Sequence, residues 1–144
     1  MRSLYPSIAL GVLSSGAAGS TPDLDPVARS ERSSIVCRDG RRVVAEFSQD
    51  RHGVHLVTLH ASSLDLAAAD RPIIEGAARQ LGSLDRVQPA CNGGGRQILL
   101  RITGSLVEQG GRMWQRTLVI VWDEKGVSGS GGRAAPVVEL EPWR

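Results

Sequence analysis

Polar and apolar positions alternate through the first half of the chain. Ile35 and Cys37 fall on one side of a segment over 33–38, and Val43, Ala45 and Phe47 share one side of a segment over 41–48. Asp39-Gly40 lies between them and can turn the chain at positive φ, so this stretch predicts a β-hairpin. After a second turn at 49–53, Val54 to His60 carries apolar residues at both parities, the pattern of a strand covered on each face. The period then changes. Ile73, Ile74, Ala77, Ala78 and Leu81 recur at helical spacing, with Arg71, Glu75 and Arg79 opposite them, which predicts a helix over 71–81. Asp70 stands where an N-cap belongs, Pro72 suits the first turn, Glu75 and Arg79 form an i, i+4 pair, and Gly82 can close the C-terminus.

Alternation resumes beyond the helix. A short extended segment is expected over 85–91, a turn at Asn92-Gly93-Gly94-Gly95, and a strand over 97–107 with Ile98, Leu100, Ile102 and Leu106 on one side. A Gln109-Gly110-Gly111 turn leads to a strand over 113–123. Trp114, Leu118, Ile120 and Trp122 share one of its faces and Val119 and Val121 the other, which suits a central position. The fold class expected is α+β: a mainly antiparallel sheet of about five strands, in the order β-β-β-α-β-β, with one helix packed on one face. This domain covers 33–126. Residues 20–32 read as a flexible lead-in, and 127–144 as a Gly/Ser-rich mobile tail with room for a short strand at 137–140.

Residues 1–19 have the layout of a secretory signal peptide: an early Arg2, an apolar stretch from Ile8 to Leu13, and small residues ending in Ala17-Ala18-Gly19. The stretch is too short to span a bilayer as a helix. The two cysteines, Cys37 and Cys91, would then meet an oxidising compartment, and an even count in an exported chain points to a disulfide between them. A periplasmic or secreted location is therefore expected.

Composition narrows the function classes. The net charge of the 144-residue chain is +2 and its arginines are interleaved with acids, so no basic stripe is available to follow a phosphate backbone. Aromatic residues make up only 3%, which leaves aliphatic side chains to fill the core and argues against a base-stacking surface.

Candidate chemistry is sparse, and no cofactor or metal motif is present. His52, His55 and His60 are clustered, but His55 and His60 differ in parity and are expected on opposite faces of their strand. His60, Ser62, Ser63 and Asp65 supply the residue types of nucleophilic catalysis without a Gly-X-Ser-X-Gly elbow. The glycines at 93–95 precede a strand rather than a helix, so they do not form a phosphate-binding loop. The Cys37-Arg38-Asp39-Gly40 opening resembles the first hairpin of small periplasmic lysozyme-inhibitor domains. That likeness is confined to a short stretch, since a helix interrupts the sheet and the serine-and-glycine inhibitory loop is absent.

Three tryptophans remain as candidate partner-binding residues: Trp114, Trp122 and Trp143. The first two lie on one strand face, roughly 27 Å apart at about 3.4 Å per residue. The function expected is that of a non-enzymatic exported or periplasmic protein that binds another protein or an envelope component. The alternative is a small hydrolase or accessory enzyme using the His60–Asp65 region.

Overall fold

The computed structural model describes residues 28–62, 64–92, 96–108, 110–130 and 135–143. The expected leader at 1–19, the first part of the lead-in, Ser63 and the glycines at 93–95 lie outside these residues. Among these residues the fold is α+β, with one α-helix and antiparallel sheet, as the periodicity predicts, but the strands divide into two sheets. The first contains β1 (Arg29–Val36), β2 (Arg42–Asp50) and β3 (Gly53–Ala61) in that order. The second contains β4 (Arg86–Asn92), β5 (Gln97–Val107), β6 (Met113–Asp123) and β7 (Gly126–Gly129), with β8 (Val138–Pro142) also paired to β6. Helix α1 (Arg71–Ala78) connects the sheets and continues as a single 3₁₀ turn over Arg79–Leu81.

The sheets meet along β1 and β4, where Cys37 and Cys91 are joined by a disulfide with their Cα atoms 5.7 Å apart. On the opposite side the helix sits between β3 and β6. The core fills the space between. Val43, Ala45 and Phe47 come from β2, Ile98, Leu100 and Ile102 from β5, Leu118, Ile120 and Trp122 from β6, and Ile74, Ala77, Ala78 and Leu81 from the helical segment.

Strand β3 departs from its expected reading in a way that changes its neighbours. Its register against β2 shifts between Glu46 and Phe47, which pair with Thr58 and Leu56 respectively, so Val57 is the extra residue of a β-bulge. A bulge inverts side-chain parity beyond it. Val54 and Leu56 before it, and Leu59 and Ala61 after it, are therefore all buried on one face, while Val57 is exposed. The apolar residues at both parities reflect this bulge, not burial on two sides. By the same inversion His55 and His60 share the outer face rather than opposing one another, although they remain five positions apart.

Helix α1 covers the free edge of β3. Glu75 accepts the Leu56 N–H at Oε1, 3.0 Å, and Arg71 donates to the Leu56 carbonyl at 3.0 Å, so two side chains one turn apart take both backbone groups of one edge residue. Glu75 and Arg71 thus grip the sheet instead of forming only a solvated face. Asp70 makes no side-chain cap bond; its carbonyl receives the Ile73 and Ile74 N–H groups. Ile73, expected in the buried stripe, is exposed. Gly82 ends the 3₁₀ turn at φ +75°, and Arg116 donates to the freed carbonyls of Gln80 and Leu81 at 3.3 and 3.2 Å. Gly104 allows the chain after the helix to approach β5 closely, since a Cβ there would overlap the Ser83 carbonyl.

The segments expected as lead-in and tail contribute strands. β1 begins at Arg29, four positions before the expected 33, and pairs with β2 throughout. Residues 126–129 pair with the end of β6, and Val138–Pro142 with its beginning, so β6 is central and both tail strands extend the second sheet.

Candidate functional site

Cross-strand pairing assembles the two surface tryptophans at one end of the second sheet. Leu106, Trp114 and Pro142 stand in one row across β5, β6 and β8. The next backbone bond, from the Trp143 N–H to the Met113 carbonyl at 3.2 Å, extends the β8 ladder by one residue and places Trp143 beside the start of β6. Trp114 is half-buried, and the Arg112 guanidinium lies over its ring, 5.8 Å from the centroid, within cation–π range. Its indole N–H is buried without a hydrogen-bond partner among the described residues.

Trp143, 46% exposed, contributes to two open recesses. One, of about 480 Å³, is lined by Arg112, Met113, Trp114, Pro142 and Trp143. The other, of about 380 Å³, lies on the outer face of the sheet among Asp85, Arg86, Gln88, Arg101, Thr103 and Gln115, with Trp143 at its end. Met113 and Val107 are also exposed at this end. An aromatic plane with apolar neighbours on one side and polar groups on the other can bind a partner by contact and hydrogen bonding.

Trp122 does not belong to this surface. It is 1% exposed and packs in the core opposite Ile98 and Val127, so burial removes it from the partner-binding candidates. Trp122 and Trp114 share a strand face, but the fully buried, covered part of that face is the one carrying Leu118, Ile120 and Trp122. Arg116 stands between that covered part and the open end.

The described residues of the His60–Asp65 region do not converge. Ser62 uses its hydroxyl locally, accepting the Arg42 N–H at 3.0 Å and donating to the Arg42 carbonyl at 3.4 Å. His60 and Asp65 are exposed, and no hydrogen bond joins either to Ser62; Ser63 lies outside the described residues.

The structure brings together a different titratable group. His55 Nε2 is 3.1 Å from Asp50 Oδ1, and His55 Nδ1 is 3.6 Å from Glu75 Oε2. Asp50 also accepts the His52 N–H at 2.7 Å. That backbone bond is the largest influence and, together with the His55 contact, outweighs an opposing desolvation and holds the Asp50 carboxyl below its ordinary value of 3.8. Sequence reasoning missed this cluster because the bulge in β3 and the docking of Glu75 on the strand edge are both tertiary. Among the described residues no group of three or more His, Cys, Asp or Glu side chains is arranged to hold a metal ion. Nor does any described helix have the length and apolarity to cross a membrane.

Comparison with protein-family models, with curated proteins and with solved structures gives no match to this chain.

Proposed function

We propose that the protein is a non-enzymatic binding domain that works outside the cytoplasm, and that it presents the end of the second sheet around Trp143 to an envelope component. One observation carries this reading: the C-terminal strand is hydrogen-bonded in register so that Trp143 stands half-exposed beside Met113, at a recess it lines together with Trp114 and Arg112. Tryptophan and arginine supply much of the energy at binding hot spots, where a large rigid side chain gains contact area with little loss of conformational freedom. The signal-like residues 1–19 and the Cys37–Cys91 disulfide support export, because disulfides persist in oxidising compartments.

The test is cosedimentation of the purified domain with envelope fractions of its host. The wild-type domain is expected in the pellet, and Trp143→Ala is expected to remain in the supernatant with an unchanged melting temperature. Equal retention of the two proteins would reject the surface.

A further inference from the structure

We propose that the recess beside Trp143 on the outer face of the second sheet is a saccharide site, in which a pyranose ring lies against the indole and its hydroxyls meet the flanking polar groups. This inference rests on the binding-domain reading above and names the chemical class of its ligand.

The register sets the geometry. Arg86 stands opposite Thr103, and Arg101 opposite Gln88, so the two arginines are diagonal neighbours on adjacent strands of one face, at a Cα spacing of roughly 7–8 Å. Gln115 lies two positions from Met113 on the same face of β6, opposite Ser105 on β5 and Glu141 on β8. Trp143 continues that face beyond Glu141. Neither Arg86 nor Arg101 forms an ion pair with a described residue, and both are exposed. Asp85 lies at the same recess, while Glu141 shares an adjoining one with Arg101 and Gln115.

The surroundings of the indole therefore mix planar donors, planar acceptors and amides that do both. A sugar matches this combination. Each hydroxyl donates and accepts, adjacent hydroxyls suit the paired atoms of guanidinium, amide and carboxylate groups, and the C–H face of the ring packs on an aromatic plane. With carboxylates beside the arginines, the recess does not favour a polyanion. A peptide fits less well. The recess lies on a sheet face rather than along a strand edge, so an extended chain crossing it would not continue the β-ladder there.

Isothermal titration of the whole chain with the N-acetylglucosamine trimer, with maltotriose and with a neutral tetrapeptide distinguishes the classes. At least one saccharide is expected to bind with a Kd of about 1 mM or tighter. Trp143→Ala and Arg101→Gln, both at exposed positions, are each expected to weaken it about tenfold or more. Failure of both saccharides to bind, binding unchanged in either variant, or binding of the tetrapeptide alone would overturn the saccharide assignment. If envelope cosedimentation still required Trp143 in those cases, the binding surface would stand and only its ligand class would fall.

Discussion

The Trp143 backbone N–H donates to the Met113 carbonyl at 3.2 Å, one step beyond the last residue of β8. This bond links Trp143 to the central strand of its sheet and sets where its half-exposed indole emerges. The other end of β6 carries Trp122, whose indole is enclosed by the core.

The two tryptophans should therefore separate stability from binding. Trp122→Ala is expected to cost about 3–5 kcal/mol, the usual range for truncating a large buried aromatic. Trp143→Ala, at an exposed position, is expected to change stability by less than about 1 kcal/mol. Urea denaturation of both variants checks this, and equal losses would contradict the placement of Trp143.

Glu75 anchors the helix to the edge of β3 through the Leu56 N–H. Glu75→Ala leaves that part-buried donor without its partner and is expected to cost about 1–3 kcal/mol. Hydrogen exchange locates the effect: the Leu56 amide should lose protection first, ahead of the amides of β5 and β6.

The Cys37–Cys91 bond closes a loop of sequence separation 54 at the line where the sheets meet. Chain-entropy arithmetic gives about 4 kcal/mol for such a loop, and the double variant Cys37→Ser, Cys91→Ser is expected to lose about 2–4 kcal/mol in denaturant titration. Reduction of the wild-type protein should produce a comparable loss.

Asp50 has a folded-state pKa below its unfolded value because it accepts the His52 N–H and pairs with His55. A depressed carboxyl contributes stability that is fully present above the unfolded pKa of about 3.8 and is lost as pH falls through the folded value. Asp50→Asn is therefore expected to flatten the acid limb of the stability profile below about pH 5, as measured by thermal melts. An acid limb identical to that of the wild-type protein would contradict the shift.

The parts of the fold legible in the sequence were those set by local periodicity. The hairpin of β1 and β2, the helix from Arg71, the central position of β6 and the pairing of Cys37 with Cys91 follow from alternation, helical spacing and cysteine count. The division into two sheets does not, because periodicity assigns a residue to a face without saying which strands pair. The bulge at Val57 was present in the sequence only as apolar residues at both parities, a pattern that burial on two faces produces equally well. The short strand expected at 137–140 is present as β8, but the order of the tail as a whole is not legible, for a similar reason. Its glycines and serines suggest mobility, whereas β7 and β8 gain order from the exposed edge of β6, which is a tertiary property. Trp114 and Trp143, 29 positions apart in sequence (143 − 114), come to the same end of the sheet only through that pairing, on its opposite faces.

The most direct measurement of the central claim uses the variant Trp114→Phe, Trp122→Phe, in which Trp143 is the only tryptophan. Its fluorescence is recorded during titration with host envelope fractions. Contact at Trp143 predicts a saturable blue shift as the half-exposed indole leaves water, matched by loss of envelope binding in Trp143→Ala. An emission maximum that does not move while the protein is bound would contradict the account.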